Sequence, residues 1–119
     1  MILADTSVWV DFFRRGDKAF AALLEAGEVS THPFVIGELA LGFLDNRTTV
    51  LQELGLLPSV LVAKSSEILA FIDQHQLMSC GVGYVDIHLL ASTYLSAPAR
   101  LWSRDKRLAR VAAELSVAH

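Results

Sequence analysis

A single cysteine, Cys80, stands among 119 residues, so the chain closes no internal disulfide and suits a reducing compartment, the cytoplasm. Long apolar runs are missing too. The longest stretch without a charge, Ile87–Ala99, covers thirteen residues, against the roughly 18 that a membrane helix needs. No basic residue precedes the first apolar run and Asp5 interrupts it, so no secretory signal is expected. Repeats, linkers and low-complexity segments are absent. Charge of either sign is scarce, with Lys+Arg 10, Asp+Glu 13 and a net −3. Such a weakly acidic total argues, on its face, against nucleic acid as a partner. What is plentiful is apolar residues, at 53%. That excludes disorder, and the length fits one domain, residues 1–119.

Periodicity and capping residues divide the chain into alternating elements. Met1–Ala4, Glu28–His32, Ser59–Ala63 and Arg100–Ser103 read as short buried strands. Asp5 or Thr6 caps a helix over Ser7–Arg15, and Asp17 caps one closed by Gly27 with Ala19, Ala22, Leu23 and Ala26 inward. Pro33 opens a helix to about Leu44, and Asp45 or Asn46 another to about Gly55. Ser65 caps one through about Gln76, Tyr84–Leu95 is helical, and Asp105 caps the last, to about Leu115. Strands separated by helices predict an α/β fold with a mostly parallel sheet.

Three of the thirteen acids stand apart. Asp5 is the only charge in Met1–Val10, Glu38 the only one in Pro33–Leu44, and Asp86 the only one in Ser79–Ala99. Each falls in a segment that the core is expected to claim. Glu38 would share a helix face with Phe34, Val35 and Leu41, and Asp86 one with Val82, Leu89 and Leu90. Burying an unpaired carboxylate costs several kcal/mol, and no base lies within a turn of either residue. In an open α/β sheet, ligands gather beyond the carboxyl ends of the strands. Asp5 closes the first strand there, and Asp105 follows the last. Carboxylates converging on that edge repel, and a hard divalent cation removes the repulsion. Each acid also has a plainer use: Asp5 and Asp105 as helix N-caps, Asp86 as a helix-start residue, Glu38 in a buried pair with a distant arginine.

The blocks MILADTSVWVDFF, VIGELALG, GYVDIHLLAS and LWSRDKRLARVA, in this order along nearly the whole chain, resemble the PIN-domain family. Within it the likeness is to VapC-type ribonuclease toxins of toxin–antitoxin pairs. The resemblance implies a three-layer sandwich, a small mostly parallel sheet flanked by helices. It implies a catalytic set of Asp5, Glu38, Asp86 and Asp105, with Mg²⁺ or Mn²⁺ held mainly by Asp5, Asp86 and Asp105. Glu38 then completes the coordination or orients the attacking water. Thr6 is the hydroxyl expected to orient the Asp5 carboxylate, and Ser103 stands where the family often has threonine. Implied products carry 5′-phosphate and 3′-hydroxyl ends. Implied partners are an RNA such as tRNA or rRNA, a VapB-like antitoxin and a second copy of the chain.

Five of the ten bases fall between Arg100 and Arg110. Arg104, Lys106 and Arg107 flank Asp105 and are candidates for RNA phosphates, because cations in a helix's first turn work against its dipole. The histidines lack metal-ligand spacing, and His88 is expected in a core or interface. Surplus Leu, Val, Ile and Phe in Phe34–Ala63 predict a partner surface. A phospho-receiver domain is excluded, since Asp5 stands without a paired acid and Asp105, not lysine, follows the last strand. The remaining alternative is a non-catalytic PIN-like module that binds RNA or protein.

Overall fold

Three apolar residues, Ile2–Ala4, make the central strand (β1) of the computed structural model, which describes residues 1–119. Val29–Ser30 (β2) and Arg100–Trp102 (β3) pair with β1 on either side, both parallel, giving the order β2-β1-β3. The helices are α1 (Thr6–Arg15), α2 (Lys18–Glu25), α3 (Pro33–Leu41), α4 (Arg47–Leu56), α5 (Ser65–His75), α6 (Tyr84–Leu95) and α7 (Lys106–Glu114). Parallel strands need crossover connections, which is why helices separate every pair of them. After α7 the chain returns to the outer edge of β3, where Ala118 forms an isolated parallel bridge with Leu101. The connections leaving β1 and β3 therefore run outward in opposite directions. Such a switch point opens a crevice beyond the strand ends.

The sheet is smaller than the sequence predicts. Ser59–Ala63 is extended but contributes only a single bridge, Ser59 with Thr31. Its neighbour β2 is two residues long, and the Leu61 amide donates to Ser96 Oγ (2.9 Å) instead of to a strand. In α2 the inward side chains are Phe20, Leu23 and Leu24, while Ala19, Ala22 and Ala26 face solvent. The larger residues take the core because burial scales with apolar area. Helix α5 is capped by Glu67 Oε1, which accepts from the Lys64 amide at 2.9 Å, so Ser65 is its first residue and not its cap.

Helix α3 corrects an expectation about Glu38. It is apolar nearly all round, yet the core admits only the stripe carrying Val35 and Leu39. Glu38, Phe34 and Leu41 lie outside, Leu41 at 90% exposure. Phe43 and Leu56 are similarly open, at 94% and 85%. The exposed apolar surface read from Phe34–Ala63 is present.

Phe20 is fully buried where α1, α2 and β3 meet, its ring 4.8 Å from Trp9, 5.0 Å from Phe12 and 5.7 Å from Trp102. Truncating such a ring removes transfer free energy and leaves a cavity. Phe20→Ala is expected to lower unfolding free energy by about 3–5 kcal/mol, read as a shifted denaturant midpoint with an unchanged m-value.

Candidate functional site

The ends of β1 and β3 bring the first acid and the last loop together. Asp5 follows β1 directly, and its amide still donates to Trp102 O at 3.0 Å. The residue is 5% exposed. Oδ1 accepts from the Val8 amide (3.2 Å) and from Ser7 Oγ (2.5 Å), while Oδ2 accepts from Ser103 Oγ (2.5 Å). Each hydroxyl in turn accepts a backbone amide of the β3–α7 loop: Ser7 Oγ from Arg104 and Ser103 Oγ from Asp105, both at 2.9 Å. Ser7, read from the sequence only as a helix residue, is thus part of the frame around Asp5. The adjacent hydroxyls Thr6 and Ser7, directly after a strand-ending acid, were the available signal.

Asp5 is also the N-cap of α1, and Asp105 is the N-cap of α7, its Oδ1 accepting from the Arg107 (2.9 Å) and Leu108 (3.1 Å) amides. The plain capping use and the site use coexist. Each oxygen offers two lone pairs, and Asp105 Oδ2 carries no bond at all. Thr6 corrects its expected role: its Oγ1 donates to Glu38 Oε1 (2.7 Å), not to Asp5. A hydroxyl on α1 therefore fixes the exposed acid of α3.

Asp86 lies half-buried in the first turn of α6. Its carboxyl is pushed up to about 6, first by burial and then by the charges of Asp5, Glu38 and Asp105, in that order. That coupling ties together acids from α6, the end of β1, α3 and the α7 cap. Asp86 and Asp105 also face a cavity of about 330 Å³ with Lys106, Arg107 and the Gly81–Gly83 loop. Gly81 holds a left-handed φ of +84°, and the Arg107 side chain passes beside it. Arg110 Nη2 donates to Cys80 O (3.1 Å), fastening that loop to α7.

The side chains do not close into a ready cage, since no three acidic, histidine or cysteine groups stand at ligating distance of one another. The donor set still fits Mg²⁺ or Mn²⁺. It is all oxygen, the charges of Asp5, Glu38 and Asp105 raise the proton affinity of Asp86, and Mg²⁺ characteristically keeps several waters while using one or two carboxylates.

Arg104 is held elsewhere than its neighbours Lys106 and Arg107. Its guanidinium lies between Asp17 (Nη2–Oδ2 2.7 Å) and Asp11 (Nε–Oδ2 3.3 Å), 5.4 Å from the Trp102 ring centroid. The expectation of a phosphate contact at Arg104 meets a side chain that already has two carboxylate partners. His32 and His88 are both buried, His88 as expected of a core or interface histidine. His32 Nδ1 accepts from the Phe34 amide (3.0 Å), and burial, then His88, pushes His32 down to about 4. Burial lowers His88 as well.

The chain matches known proteins over nearly its whole length. The family model described as PIN domain matches residues 2–114. Ribonuclease VapC32 of Mycobacterium tuberculosis is 44% identical over 118 residues, covering 99% of this chain and 95% of that protein. The match is the same for the sequences from strains CDC 1551 / Oshkosh and ATCC 25618 / H37Rv.

The raised carboxyl of Asp86 makes a stability prediction. Its folded-state value lies above the unfolded 3.8. The folded state therefore favours the proton, and that stabilisation is present below pH ~4 and lost as pH rises through about 6. Asn mimics the protonated acid. In metal-free buffer, Asp86→Asn is expected to raise the thermal midpoint by a few degrees at pH 7.5, and the gain is expected to shrink as pH falls through about 6 and to vanish below pH ~4. Scanning calorimetry across pH checks both the sign and the window.

Proposed function

Since the chain belongs to the PIN-domain family, we propose that it is a metal-dependent endoribonuclease toxin, restrained by a cognate VapB-like antitoxin. The observation that carries this reading is the Asp86 carboxyl, raised by burial and by Asp5, Glu38 and Asp105 together. A structural acid gains nothing from like-charged neighbours, whereas a bound cation is stabilised by them.

Asp5, Asp86 and Asp105 would hold Mg²⁺ or Mn²⁺, which supplies charge compensation to phosphoryl oxygens when bound. Asp5 is suited to this because Ser7, Val8 and Ser103 fix both its oxygens and leave lone pairs over. Glu38 has one oxygen held by Thr6, and its Oε2 is available to orient water and accept its proton. The water oxygen bonds to phosphorus in line with the departing 3′-oxygen. The P–O3′ bond breaks and the departing oxygen takes a proton from solvent, leaving a 3′-hydroxyl and a 5′-phosphate. No 2′-hydroxyl takes part. Lys106 and Arg107, on the cavity that Asp86 and Asp105 line, would take the flanking phosphates.

The RNA we infer is structured, of the tRNA or rRNA class, met in the cytoplasm; no helix here is long and apolar enough to cross a membrane. Antitoxin and a second copy of the chain would cover the apolar surface around Leu41, Phe43 and Leu56. The non-catalytic alternative draws on the absence of a closed three-ligand cluster. Calorimetric titration with Mn²⁺ separates the two, because a binding module takes up no ion at millimolar metal.

Sequencing RNA ends after induction is expected to reveal new 5′-phosphate termini that disappear with Asp86→Asn. In purified form that variant should lose ~100-fold or more in cleavage rate with Mn²⁺. Full activity in Asp86→Asn excludes this site. Lys106→Ala and Arg107→Ala are each expected to raise KM for RNA and to reduce the slope of log affinity against log salt by about one, measured by cleavage and filter binding from low to moderate salt.

A further inference from the structure

Of the three bases that flank Asp105, Arg104 already has two carboxylate partners within the fold. We propose that Arg104 is a positioning residue, which holds the β3–α7 loop so that Ser103 and Asp105 stand correctly against Asp5. The inference rests on the proposed nuclease site and assigns that site a support which its acids do not supply for themselves.

The loop Ser103–Arg104–Asp105 has few means of holding its shape. It is three residues long, between the last residue of β3 and the first of α7. Ser103 spends its hydroxyl on Asp5 Oδ2 and the Asp105 amide, and Asp105 spends Oδ1 on the α7 amides. The middle residue supplies the anchor. Its amide donates to Ser7 Oγ (2.9 Å), the same hydroxyl that donates to Asp5 Oδ1. Its guanidinium reaches the other way, to Asp11 on α1 and Asp17 at the cap of α2, beside the Trp102 ring. One residue thus ties α1, α2 and the end of β3 to the loop.

The electrostatics argue against a phosphate-binding role. Two carboxylates face one guanidinium, and Asp11 uses its second oxygen on Arg15 (3.1 Å). Asp17 is held below the usual carboxylate range, first by the Phe20 amide and then by Arg104. A phosphate approaching Arg104 would have to displace an acid that is already well paired. Global stability is not the purpose either. The arginine side chain is 41% exposed, and ion pairs so placed contribute little. A planar fork gripped from two sides instead fixes direction, which is what a loop carrying catalytic groups requires.

The test compares Arg104→Ala, Asp11→Asn and the double variant with wild type in cleavage kinetics at saturating Mn²⁺, Mn²⁺ calorimetry and the salt dependence of KM. Arg104→Ala is expected to lower kcat and Mn²⁺ affinity roughly 10-fold, with KM for RNA within about 2-fold and the salt slope unchanged. Asp11→Asn should show the same pattern to a smaller degree, and the double variant should be no worse than Arg104→Ala, because both changes break one interaction. An RNA contact predicts the reverse: a raised KM and a salt slope lower by about one for Arg104→Ala, with Asp11→Asn leaving KM unchanged or improved. That outcome overturns the proposal, as does wild-type kinetics and metal affinity in both single variants. Asp11→Asn alone decides between these outcomes where Arg104→Ala does not fold. Should wild type neither bind Mn²⁺ nor cleave RNA, the nuclease reading fails on its own. Amide exchange of residues 103–107 then decides the positioning role, faster exchange in Arg104→Ala supporting it and unchanged exchange overturning it.

Discussion

The hydrogen bond from Ser103 Oγ to Asp5 Oδ2 joins residues 98 apart in sequence, and the candidate site depends on it. Neither residue could be placed by its own element. β1 and β3 are only three residues each, too short to fix the direction of the chain beyond them. Parallel pairing brings their ends level, Ala4 beside Trp102, so the next residues out meet across the crevice. The Ser103 hydroxyl then closes that gap while accepting the Asp105 amide, so one oxygen sets two of the four acids. A serine does this as well as the threonine often found there in the family, because the bond needs only the hydroxyl.

Two acids are anchored by becoming helix caps, and this resolves a conflict that pure burial would leave. An almost fully buried carboxylate such as Asp5 is costly unless its oxygens are bonded. Capping supplies amide donors from the helix it starts, at the end where the dipole also favours negative charge. Asp86 has no comparable provision. It sits in the first turn of α6 behind a glycine cap, with no hydrogen bond to its oxygens and three acids in range. The site is rigid where it is capped and electrostatically unfavourable where it is not, the pattern expected when function, not stability, places a residue.

The acids stand out in the sequence more clearly than their surroundings do. Asp5, Asp86 and Asp105 could be found because each breaks an apolar run or follows a strand, signals local to a few residues. Helix α6 came out as Tyr84–Leu95 in full because its apolar period is long and its ends carry Gly83 and a nearby proline. Glu38 stood out by the same contrast, but its burial was misjudged. Which face of an apolar helix meets the core depends on neighbours that periodicity cannot see, and here Val35 and Leu39 took it. The loss of the Ser59–Ala63 strand has the same origin, since its partner β2 stops at Ser30. Thr6 and Arg104 have partners that sequence proximity does not name, Glu38 for one and Asp11 with Asp17 for the other, because a hydrogen bond across the fold goes to whatever the topology brings near.

The weakly acidic charge of the chain then takes on a different meaning. Setting aside Asp5, Glu38, Asp86 and Asp105 leaves nine acids against ten bases. Those nine are not evenly used. Asp11 and Asp17 are committed to Arg104 and Arg15, so the bases near the site divide into a group neutralised within the fold and a pair, Lys106 and Arg107, on the cavity beside Asp86 and Asp105. A net charge of −3 averages over an acidic crevice and the cations at its mouth. An anionic polymer meeting this protein would respond to that mouth and not to the average, since a Debye length near ~8 Å at physiological salt confines each field to its own neighbourhood. Were a divalent ion to offset the crevice charge, as proposed above, the same two cations would become the dominant local field. The scarcity of basic residues therefore does not by itself argue against an anionic polymer as partner, because Lys106 and Arg107 stand beside the acids and not apart from them.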